Sequence, residues 1–198
     1  MSKGGYKLET SFPNKYEYYT YEEFLTLQKE ENRFKIEYDN GFIFSMAPAH
    51  PNHDRVKNKI ATAFINHFGF GGMCEVFTND IAVVFENQNE IYEFQPDIMV
   101  CCNTKLFHGP KYKGNPRLIV EVLSYSTEHP DRTIKLSVYE KFQVPEYWIV
   151  DISNECIEVY SNNINGKYCS INKYKKGMTI KVFDDLVLDV DEIFSVIK

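Results

Sequence analysis

This 198-residue chain lacks long apolar runs and the motifs of several common enzyme classes. No segment approaches the roughly 20 consecutive apolar residues of a membrane-spanning helix, and the opening MSKGGYKLET has no apolar stretch of the kind found in signal peptides. We therefore expect a cytoplasmic protein without a membrane partner. The sequence also has no P-loop, dinucleotide-binding fingerprint or Ser/His/Asp pattern, and Gly69-Phe70-Gly71-Gly72 indicates only a turn between a helix and a strand.

Cysteines are few and show no paired spacing. The five cysteines are an odd number without any Cys-x-x-Cys, whereas zinc sites and disulfide frameworks usually have a regular spacing. We predict buried free thiols rather than a zinc site or a disulfide frame. The cysteines are Cys74, Cys101, Cys102, Cys156 and Cys169.

Positive charge is also scarce, since 22 Lys and Arg face 28 Asp and Glu for a net charge of −6. Such a balance argues against indiscriminate affinity for polyanions. The segment 103–117 nevertheless contains no acid, and we predict that its basic residues contact the phosphates of a nucleic acid. The alternative is a solvated, lysine-rich loop. The predicted contacts are Lys105, Lys111, Lys113 and Arg117.

The composition predicts a single domain with a core rich in aromatic side chains. Hydrophobic residues make up 43% of the chain, with 15 Phe and 14 Tyr. We expect residues 1–18 to be a loose lead-in and residues 19–198 to form one domain. Helix starts near Thr20, Pro51 and Asp131 alternate with short strands, and Asn40-Gly41 is a strong hairpin signal. The pattern predicts an α/β (α+β) fold: a mixed β-sheet flanked by helices, with extra C-terminal β-hairpins.

Three charged residues lie at positions where the pattern demands apolar ones. Asp97 follows Pro96 at the head of an apolar strand, and Glu121 is the only acid in the strand RLIVEVLS, which is apolar on both faces. Lys135 lies on the apolar stripe of the next helix. Charges on core-facing positions are costly unless they are paired or bind a metal. Two carboxylates and a lysine at one place predict metal-assisted phosphodiester cleavage.

A plainer interpretation exists for each of these features. Asp131 and Lys135 are four residues apart and form, in that interpretation, an ion pair at the edge of the helix stripe, worth a few tenths of a kcal/mol. Pro96 is tolerated at the start or edge of a strand, so Asp97 would mark a sheet terminus or a bend.

The same residues resemble the PD-(D/E)xK motif of the restriction-endonuclease-like nuclease superfamily. The likeness is closer to a large bacterial family of proposed endonucleases that is often known only as a domain of unknown function, and it covers about Tyr19 to Asp151. One departure is Leu123, which stands where the superfamily pattern has lysine. Lys135 would supply that charge, a migration known in the superfamily. The matching elements are Pro96-Asp97, the run EVLS (121–124), Asp131, Lys135, Tyr139 and the run EYWIVD (146–151).

The resemblance implies an endonuclease that hydrolyses nucleic acid, DNA in the first place, as a homodimer cutting both strands. Asp97 and Glu121 would be catalytic and, with Glu37 and the Val122 carbonyl, would bind one or two Mg²⁺ (or Mn²⁺) ions. Lys135 would orient the attacking water or stabilise the pentacovalent phosphate. The other residues implied to support the site are Asp131, Tyr139 and His53, the last by binding phosphate or by holding a carboxylate in place.

Spacing alone gives two of these residues a different place. Glu37 alternates with Ile36 and Tyr38 on its strand and would face solvent. His53 falls on the apolar stripe of its helix, where a histidine is usually a satisfied, partly buried core residue.

Two other functions remain open at this stage. In the first, the chain is a catalytically silent domain that binds nucleic acid or protein. The acidic balance, and Leu123 in place of the motif lysine, favour this function. In the other it is a structural homodimer, with Asp131, Lys135 and Glu121 as a buried ion-pair network that Lys135→Met would leave folded or even more stable.

Overall fold

The computed structural model describes residues 14, 16–30, 35–46, 48–78 and 81–198. Most of the predicted lead-in, residues 1–13 and 15, therefore lies outside the described residues. Within the described part of the chain, no helix has both the length and the apolar character needed to cross a bilayer.

The fold is a mixture of short helices and strands, as predicted. The helices are α1 (Tyr21–Glu30), α2 (Pro51–Phe68), a 3-10 turn (Thr104–Leu106), α3 (Glu128–Pro130), a π turn (Asp131–Lys135), α4 (Leu136–Lys141) and α5 (Val190–Phe194). We call the continuous stretch of α3, the π turn and α4, residues 128–141, the site helix.

Fourteen strands are found among the described residues. They are β1 (Lys35–Asp39), β2 (Phe42–Met46), β3 (Glu75–Thr78), β4 (Ala82–Glu86), β5 (Ile91–Phe94), β6 (Ile98–Cys101), β7 (Phe107–His108), β8 (Lys111–Tyr112), β9 (Leu118–Val122), β10 (Tyr147–Asp151), β11 (Cys156–Asn163), β12 (Tyr168–Tyr174), β13 (Thr179–Val182) and β14 (Leu186–Asp189). They form two six-stranded sheets, ordered β2-β1-β5-β4-β8-β7 and β12-β11-β10-β9-β6-β3, and the β13-β14 hairpin. Both large sheets are mixed, since β9 pairs with β10 and β4 with β8 in parallel.

Strand β9 is covered on both faces, which confirms the interpretation of its apolar run. Leu118, Val120 and Val122 pack in one core cluster with α2 residues such as Ile60. Ile119 and Leu123 pack in the other cluster with Tyr139 of the site helix. Glu121 alternates with Val120 and Val122, so it lies on the face that the site helix covers.

The segment from Ile91 to Cys101 is divided between the two sheets. Strand β5 belongs to the first sheet and β6 to the second, and Gln95, Pro96 and Asp97 make the passage between them. Proline has no N–H to give to a strand ladder, so the ladder ends there. Asp97 consequently lies at the bend that the Pro96-Asp97 pair predicted, at the junction of the two sheets.

The prediction that the cysteines are free, buried thiols is wrong for three of the five. Cys74 and Cys102 form a disulfide, and Cys169 is free but exposed; only Cys101 and Cys156 are buried and free. The reason lies in strand pairing: β3 and β6 are antiparallel with Glu75 opposite Cys101, so the next residues outward, 74 and 102, face each other. Spacing along the chain carries no information about that register.

Candidate active site

Asp97 and Glu121 lie side by side at the pairing of β6 with β9. Strands β6 and β9 are antiparallel with Ile98 opposite Val120, which brings the residue before β6 next to Glu121. The Val122 N–H donates to Asp97 Oδ2 at 2.8 Å, and the Asp97 N–H donates to Glu121 Oε2 at 3.3 Å. The two carboxylates are thereby fixed by the backbone of the opposite strand.

His53 joins this pair from the first turn of α2. Its Nε2 lies 3.0 Å from Asp97 Oδ2, and the residue is 7% exposed. Burial lowers the pKa of His53, but the hydrogen bond and the charge of Asp97 raise it more, so the pKa lies above its usual 6.5. The predicted histidine therefore lies beside a predicted metal ligand, and its contact with Asp97 favours the protonated imidazole.

Lys135 is the centre of a buried cluster of acids. Its Nζ lies 2.9 Å from Glu121 Oε1, 3.1 Å from Asp131 Oδ1 and 3.2 Å from Glu37 Oε1, and the residue is 2% exposed. The interpretation of Asp131 and Lys135 as a pair at the stripe's edge is thus wrong, because Asp131 is 1% exposed. The ammonium contacts Glu121 from the following helix, and its replacement of the lysine missing at Leu123 stays a prediction.

Glu37 is buried, so the expectation that it faces solvent is wrong. It is 4% exposed, and its Oε1 accepts a hydrogen bond from the Gln95 N–H at 2.7 Å besides contacting Lys135. Strand β1 lies inside the first sheet, between β2 and β5. Glu37 lies on the face of β1 that the site helix covers, as its contact with Lys135 shows, while Ile36 and Tyr38 pack in a separate cluster.

The acids of the cluster are hard to ionise. Burial raises the pKa of Glu37, Glu121 and Asp131, and repulsion between the acids adds to it, against the attraction of Lys135. Burial by itself lowers the pKa of Lys135, but the surrounding carboxylates raise it well above its usual range. The lysine consequently keeps its proton at neutral pH.

Two tyrosine hydroxyls complete the cluster. The predicted Tyr139 donates to Glu121 Oε1 at 3.2 Å, and Tyr147 donates to the Asp131 carbonyl at 3.1 Å. Tyr147 was not predicted. The feature that could have identified it is its position on β10: it lies two residues before Ile149, which stands opposite Glu121 in the parallel β9-β10 pair.

Asp97 and Glu121 open into a cleft of about 340 Å³. The cleft also holds polar residues that the sequence did not single out. Lys57 is 4% exposed and forms an ion pair with Asp54 Oδ1 at 2.5 Å. It lies four residues after His53 on the buried stripe of α2, the same signal that pointed to Lys135. The cleft is lined by Lys35, Met46, Pro48, Ala49, His53, Asp54, Lys57, Gln95, Asp97, Glu121, Ser124, Thr127 and Lys135.

The donor chemistry of the cleft fits a divalent cation. Among the described residues, no three His, Cys, Asp or Glu side chains are arranged to hold a metal ion. Mg²⁺, however, is usually bound through one or two carboxylates and keeps several waters. Asp97 and Glu121 both line the cleft and offer hard oxygen ligands. Of the four acids of the site, Glu37, Glu121 and Asp131 share the Lys135 ammonium and Asp97 contacts His53, while Lys57 in the cleft is paired with Asp54.

The structure does not bring the predicted nucleic-acid contacts to this cleft. Lys111 Nζ lies 2.6 Å from Glu93 Oε2, and Lys113 Nζ lies 3.7 Å from Glu86 Oε1. Lys105 and Arg117 are exposed, and the Arg117 guanidinium lies 6.0 Å from the centre of the Phe183 ring. Their contact with a nucleic acid stays a prediction.

Comparison with known sequences places the chain in a family. The family model described as "Uma2: Putative restriction endonuclease" matches residues 21–191. The chain belongs to this family. The "Uncharacterized protein slr1290" of Synechocystis sp. is 33% identical over 153 residues, which cover 76% of this chain and 78% of that protein. The "Uncharacterized protein sll1609" of the same organism is 31% identical over 129 residues, or 63% of this chain and 71% of that protein.

A solved structure confirms the predicted fold. The match is to the "Crystal structure of a putative nuclease belonging to DUF820 from Anabaena variabilis ATCC 29413", with a TM-score of 0.72 and 17% sequence identity. It covers 88% of this chain and 97% of that one. The Uma2 model and this structure together confirm the resemblance to restriction-endonuclease-like nucleases.

Proposed function

We propose that this protein is a metal-dependent endonuclease that hydrolyses phosphodiester bonds of nucleic acid, DNA in the first place, with Mg²⁺ (or Mn²⁺). The observation that carries the proposal is Glu121, an acid inside a buried strand that shares a cleft with Asp97 and contacts the buried Lys135. Membership of the Uma2 family supports a nuclease in general. The expected homodimer is a further proposal, which sedimentation of the purified protein tests.

Asp97 and Glu121 would hold the cation, with the Val122 carbonyl as a further oxygen ligand. Such an ion polarises a phosphoryl oxygen and lowers the pKa of a bound water. Glu37 Oε1 already contacts the Gln95 N–H and Lys135. We therefore assign Glu37 to holding Lys135 in the cluster rather than to binding the ion directly.

Lys135 acts in this proposal as a fixed positive charge. Because its pKa lies well above its usual range, it keeps its proton at neutral pH and does not serve as a general base. Its ammonium can orient a water or stabilise the charge that develops on the phosphate. Asp131, Glu37 and Tyr139 hold Lys135 and Glu121 in place.

His53 has a positioning role in the same scheme. It donates from Nε2 to Asp97, and the Val122 N–H donates to the same oxygen. Both donors fix the direction of the Asp97 carboxylate before any ion binds, which reduces the cost of ordering it.

A second candidate function is a domain of the same fold that binds nucleic acid or protein without cleaving it. The contacts of the buried Lys135 with Glu37, Glu121 and Asp131 favour this alternative. In that case the Lys135 ammonium is itself the permanent counterion of the acids, and no divalent ion is needed.

Cleavage assays separate the two functions. We would incubate supercoiled and single-stranded DNA with the protein in Mg²⁺ or Mn²⁺, and compare the wild type with Asp97→Ala, Glu121→Gln and Lys135→Ala. The proposal expects cleavage that chelator and each substitution abolish. Loss with Asp97→Ala but not with Lys135→Ala would keep the nuclease and reject the role of Lys135.

Glu93→Gln is the matched control for these variants. Glu93 is 1% exposed and bonds to Tyr21, Gln28 and Lys111, so its replacement also disturbs a buried acid, but it does not line the cleft. Cleavage retained by Glu93→Gln and lost by Glu121→Gln would link activity to the cleft. Binding of DNA without cleavage in any metal would favour the second function.

A further inference from the structure

A second groove continues from the cleft along the start of α2. It has a volume of about 430 Å³, a size typical of small-molecule sites, and shares Pro48, Ala49, His53 and Ser124 with the cleft. The two depressions therefore adjoin each other at these four residues, and Asp97 lines the cleft but not the groove. The groove is lined by Pro48, Ala49, His50, Asn52, His53, Leu123, Ser124, Tyr125, Ser126, Ile152 and Ser153.

The groove differs from the cleft in its charge. None of its lining residues, all within the described part of the chain, is acidic, although the protein as a whole has a net charge of −6. Its polar groups are hydroxyls, an amide and two imidazoles. Such a surface accepts the sugar and phosphate of a nucleotide without repelling them, whereas the neighbouring acids would repel any phosphate not bound through a cation.

Tyr125 is the unusual residue of this groove. It comes four residues after Glu121 and its exposure is 105%, so its ring is in contact with solvent on both faces. Burying an aromatic ring is favourable, and a fully exposed one beside a cleft offers a surface for a ligand. Aromatic side chains stack on nucleic-acid bases in a way that tolerates different sequences.

The loop that carries Tyr125 is held in shape on both sides of it. The hydroxyl of Ser124 lies 3.2 Å from the Ser126 hydroxyl and 3.0 Å from the Thr127 hydroxyl. The Thr127 and Glu128 N–H groups both donate to the Ser124 carbonyl. The backbone that carries the ring is thus fixed before a ligand arrives, which lowers the entropic cost of stacking.

We propose that this groove binds the nucleoside next to the cleaved phosphate, with Tyr125 stacking on its base. A base inside a duplex is already stacked on both faces, so the substrate would be single-stranded or locally unpaired nucleic acid. This inference rests on the proposed function for its substrate class, but it concerns binding and can be measured without cleavage.

The test measures binding with the metal removed. Fluorescein-labelled single strands of about 12 nucleotides, and the duplex of the same sequence, are titrated in EDTA with the wild type, Tyr125→Phe and Tyr125→Ala. We expect single strands to bind more tightly than the duplex. Tyr125→Phe should bind like the wild type. The Kd of Tyr125→Ala should be roughly tenfold higher or more.

Phe70→Ala is the control for loss of an exposed aromatic ring. Phe70 is 97% exposed and follows the far end of α2, a helix of 18 residues whose first turn holds His53. Since a helix rises about 1.5 Å per residue, this ring is remote from the groove. We expect Phe70→Ala to leave the Kd unchanged.

The outcomes separate this inference from the proposed function. Equal binding by Tyr125→Ala and the wild type, tighter binding of duplex, or no binding of any strand would overturn the subsite, even if the wild type cleaves DNA in Mg²⁺. Weakened binding by Tyr125→Ala together with no cleavage under any condition would retain the subsite and reject the nuclease. A self-association that Tyr125→Ala abolishes, with nucleic-acid binding unchanged, would assign the ring to an interface between copies.

Discussion

The residue that most needs explanation is Lys135, because a buried ammonium is costly and a purely structural pair is replaceable. Replacing a whole buried ion-pair network by apolar residues is often neutral or stabilising, but removing one partner leaves the others uncompensated. Lys135 is the shared partner of Glu37, Glu121 and Asp131. For the structural homodimer with a buried ion-pair network, Lys135→Met was expected to stay folded or become more stable. Three acids that share one ammonium give the opposite expectation.

We predict that Lys135→Met lowers the free energy of unfolding by about 3–5 kcal/mol at neutral pH. The loss should shrink as the pH falls through the raised pKa values of the three acids and be small at about pH 4, where the carboxyls are protonated and need no counterion. The sign follows from the raised pKa of Glu37, Glu121 and Asp131: such groups favour the folded state while protonated, and that advantage is lost as the pH rises. Urea unfolding at both pH values measures the difference.

Lys59→Met serves as the reference for a lysine in a surface ion pair. Lys59 pairs with Glu192, and their side chains are 35% and 67% exposed. Such pairs contribute about 1 kcal/mol or less. If Lys135→Met were as mild as this control, or more stable than the wild type, the cluster would not depend on its ammonium.

At the scale of elements, the site helix is fastened to the second sheet by Arg132. Its Nη1 lies 2.8 Å from Glu158 Oε2 on β11, and its Nη2 lies 3.2 Å from Asp151 Oδ2 at the end of β10. Burial raises the pKa of Glu158, but hydrogen bonds from Lys173 and Arg132 lower it more, so it lies below the usual 4.5. This clasp keeps the helix that carries Lys135 against the strand pair that carries Glu121.

We predict that Arg132→Met costs about 1 kcal/mol of stability at neutral pH and speeds hydrogen exchange in the site helix. A carboxylate with a lowered pKa stabilises the fold above its unfolded pKa, and the contribution is lost as the pH falls through the folded value. The stability difference between wild type and Arg132→Met should therefore disappear in acid below the usual pKa of Glu158. Unfolding curves across this range, with exchange followed by mass spectrometry, check both effects.

Lys173→Met is the comparison, since Lys173 bonds to the same Glu158 at 2.8 Å from β12 rather than from the site helix. Lys173→Met should remove one ion-pair partner of Glu158 without changing hydrogen exchange in the site helix, residues 128–141. Equal exchange in both variants would show that Arg132 does not fasten the helix.

The site helix also shows where sequence patterns stop being informative. We predicted a regular helix at about 100° per residue, which correctly placed Val138 and Tyr139 on the buried side. The structure instead has a π turn over Asp131–Lys135. Such turns are rare in proteins, and those that occur often lie at functional sites. No residue type marks a π turn, because it follows from the surrounding contacts. Lys135 was found by its charge on an apolar stripe, not by its local geometry.

Strands could be predicted where the sequence itself carries a clear apolar or turn pattern. They could not be predicted where contacts with distant segments decide which residues are buried. The apolar run of β9 and the hairpin at Asn40-Gly41 were evident from sequence. The burial of Glu37 depended on the site helix covering its face of β1, a contact that alternation along the strand does not reveal. Long-range pairing, which a single sequence does not encode in its local periodicity, also determined the cysteine partners.

At the scale of the whole molecule, the Cys74–Cys102 disulfide ties the start of β3 to the end of β6, at the opposite end of β6 from Asp97. The bond spans 28 residues, and closing a loop of that length stabilises a fold by about 3.5 kcal/mol in the chain-entropy model. We predict that dithiothreitol lowers Tm by several degrees and that Cys74→Ser/Cys102→Ser does the same without reductant. Differential scanning calorimetry of both measures the effect.

Cys169→Ser is the control, since Cys169 is exposed and free. This variant should have the same Tm as the wild type, both without reductant and with it. Disulfides persist in oxidising compartments and are reduced in the cytosol, so the bond and the expected cytoplasmic location make opposite demands on this pair. A Tm that is indifferent to reductant would show that the fold does not depend on the bond.

The overall charge sets the last prediction, which concerns how strongly salt weakens nucleic-acid binding. Each phosphate contact contributes about −0.7 for single strands, or −0.9 for duplex, to the slope of log K against log salt. Lys111 is held by Glu93 at 2.6 Å, whereas Lys105 and Arg117 are exposed cations in a chain of net charge −6. We therefore expect a shallow slope of log K against log salt. Lys105→Ala and Arg117→Ala should each reduce the slope by the contribution of about one phosphate contact. Lys111→Gln should leave the slope unchanged, and titrations in increasing KCl measure all three; unchanged slopes in the first two variants would place the nucleic acid away from the loop 103–117.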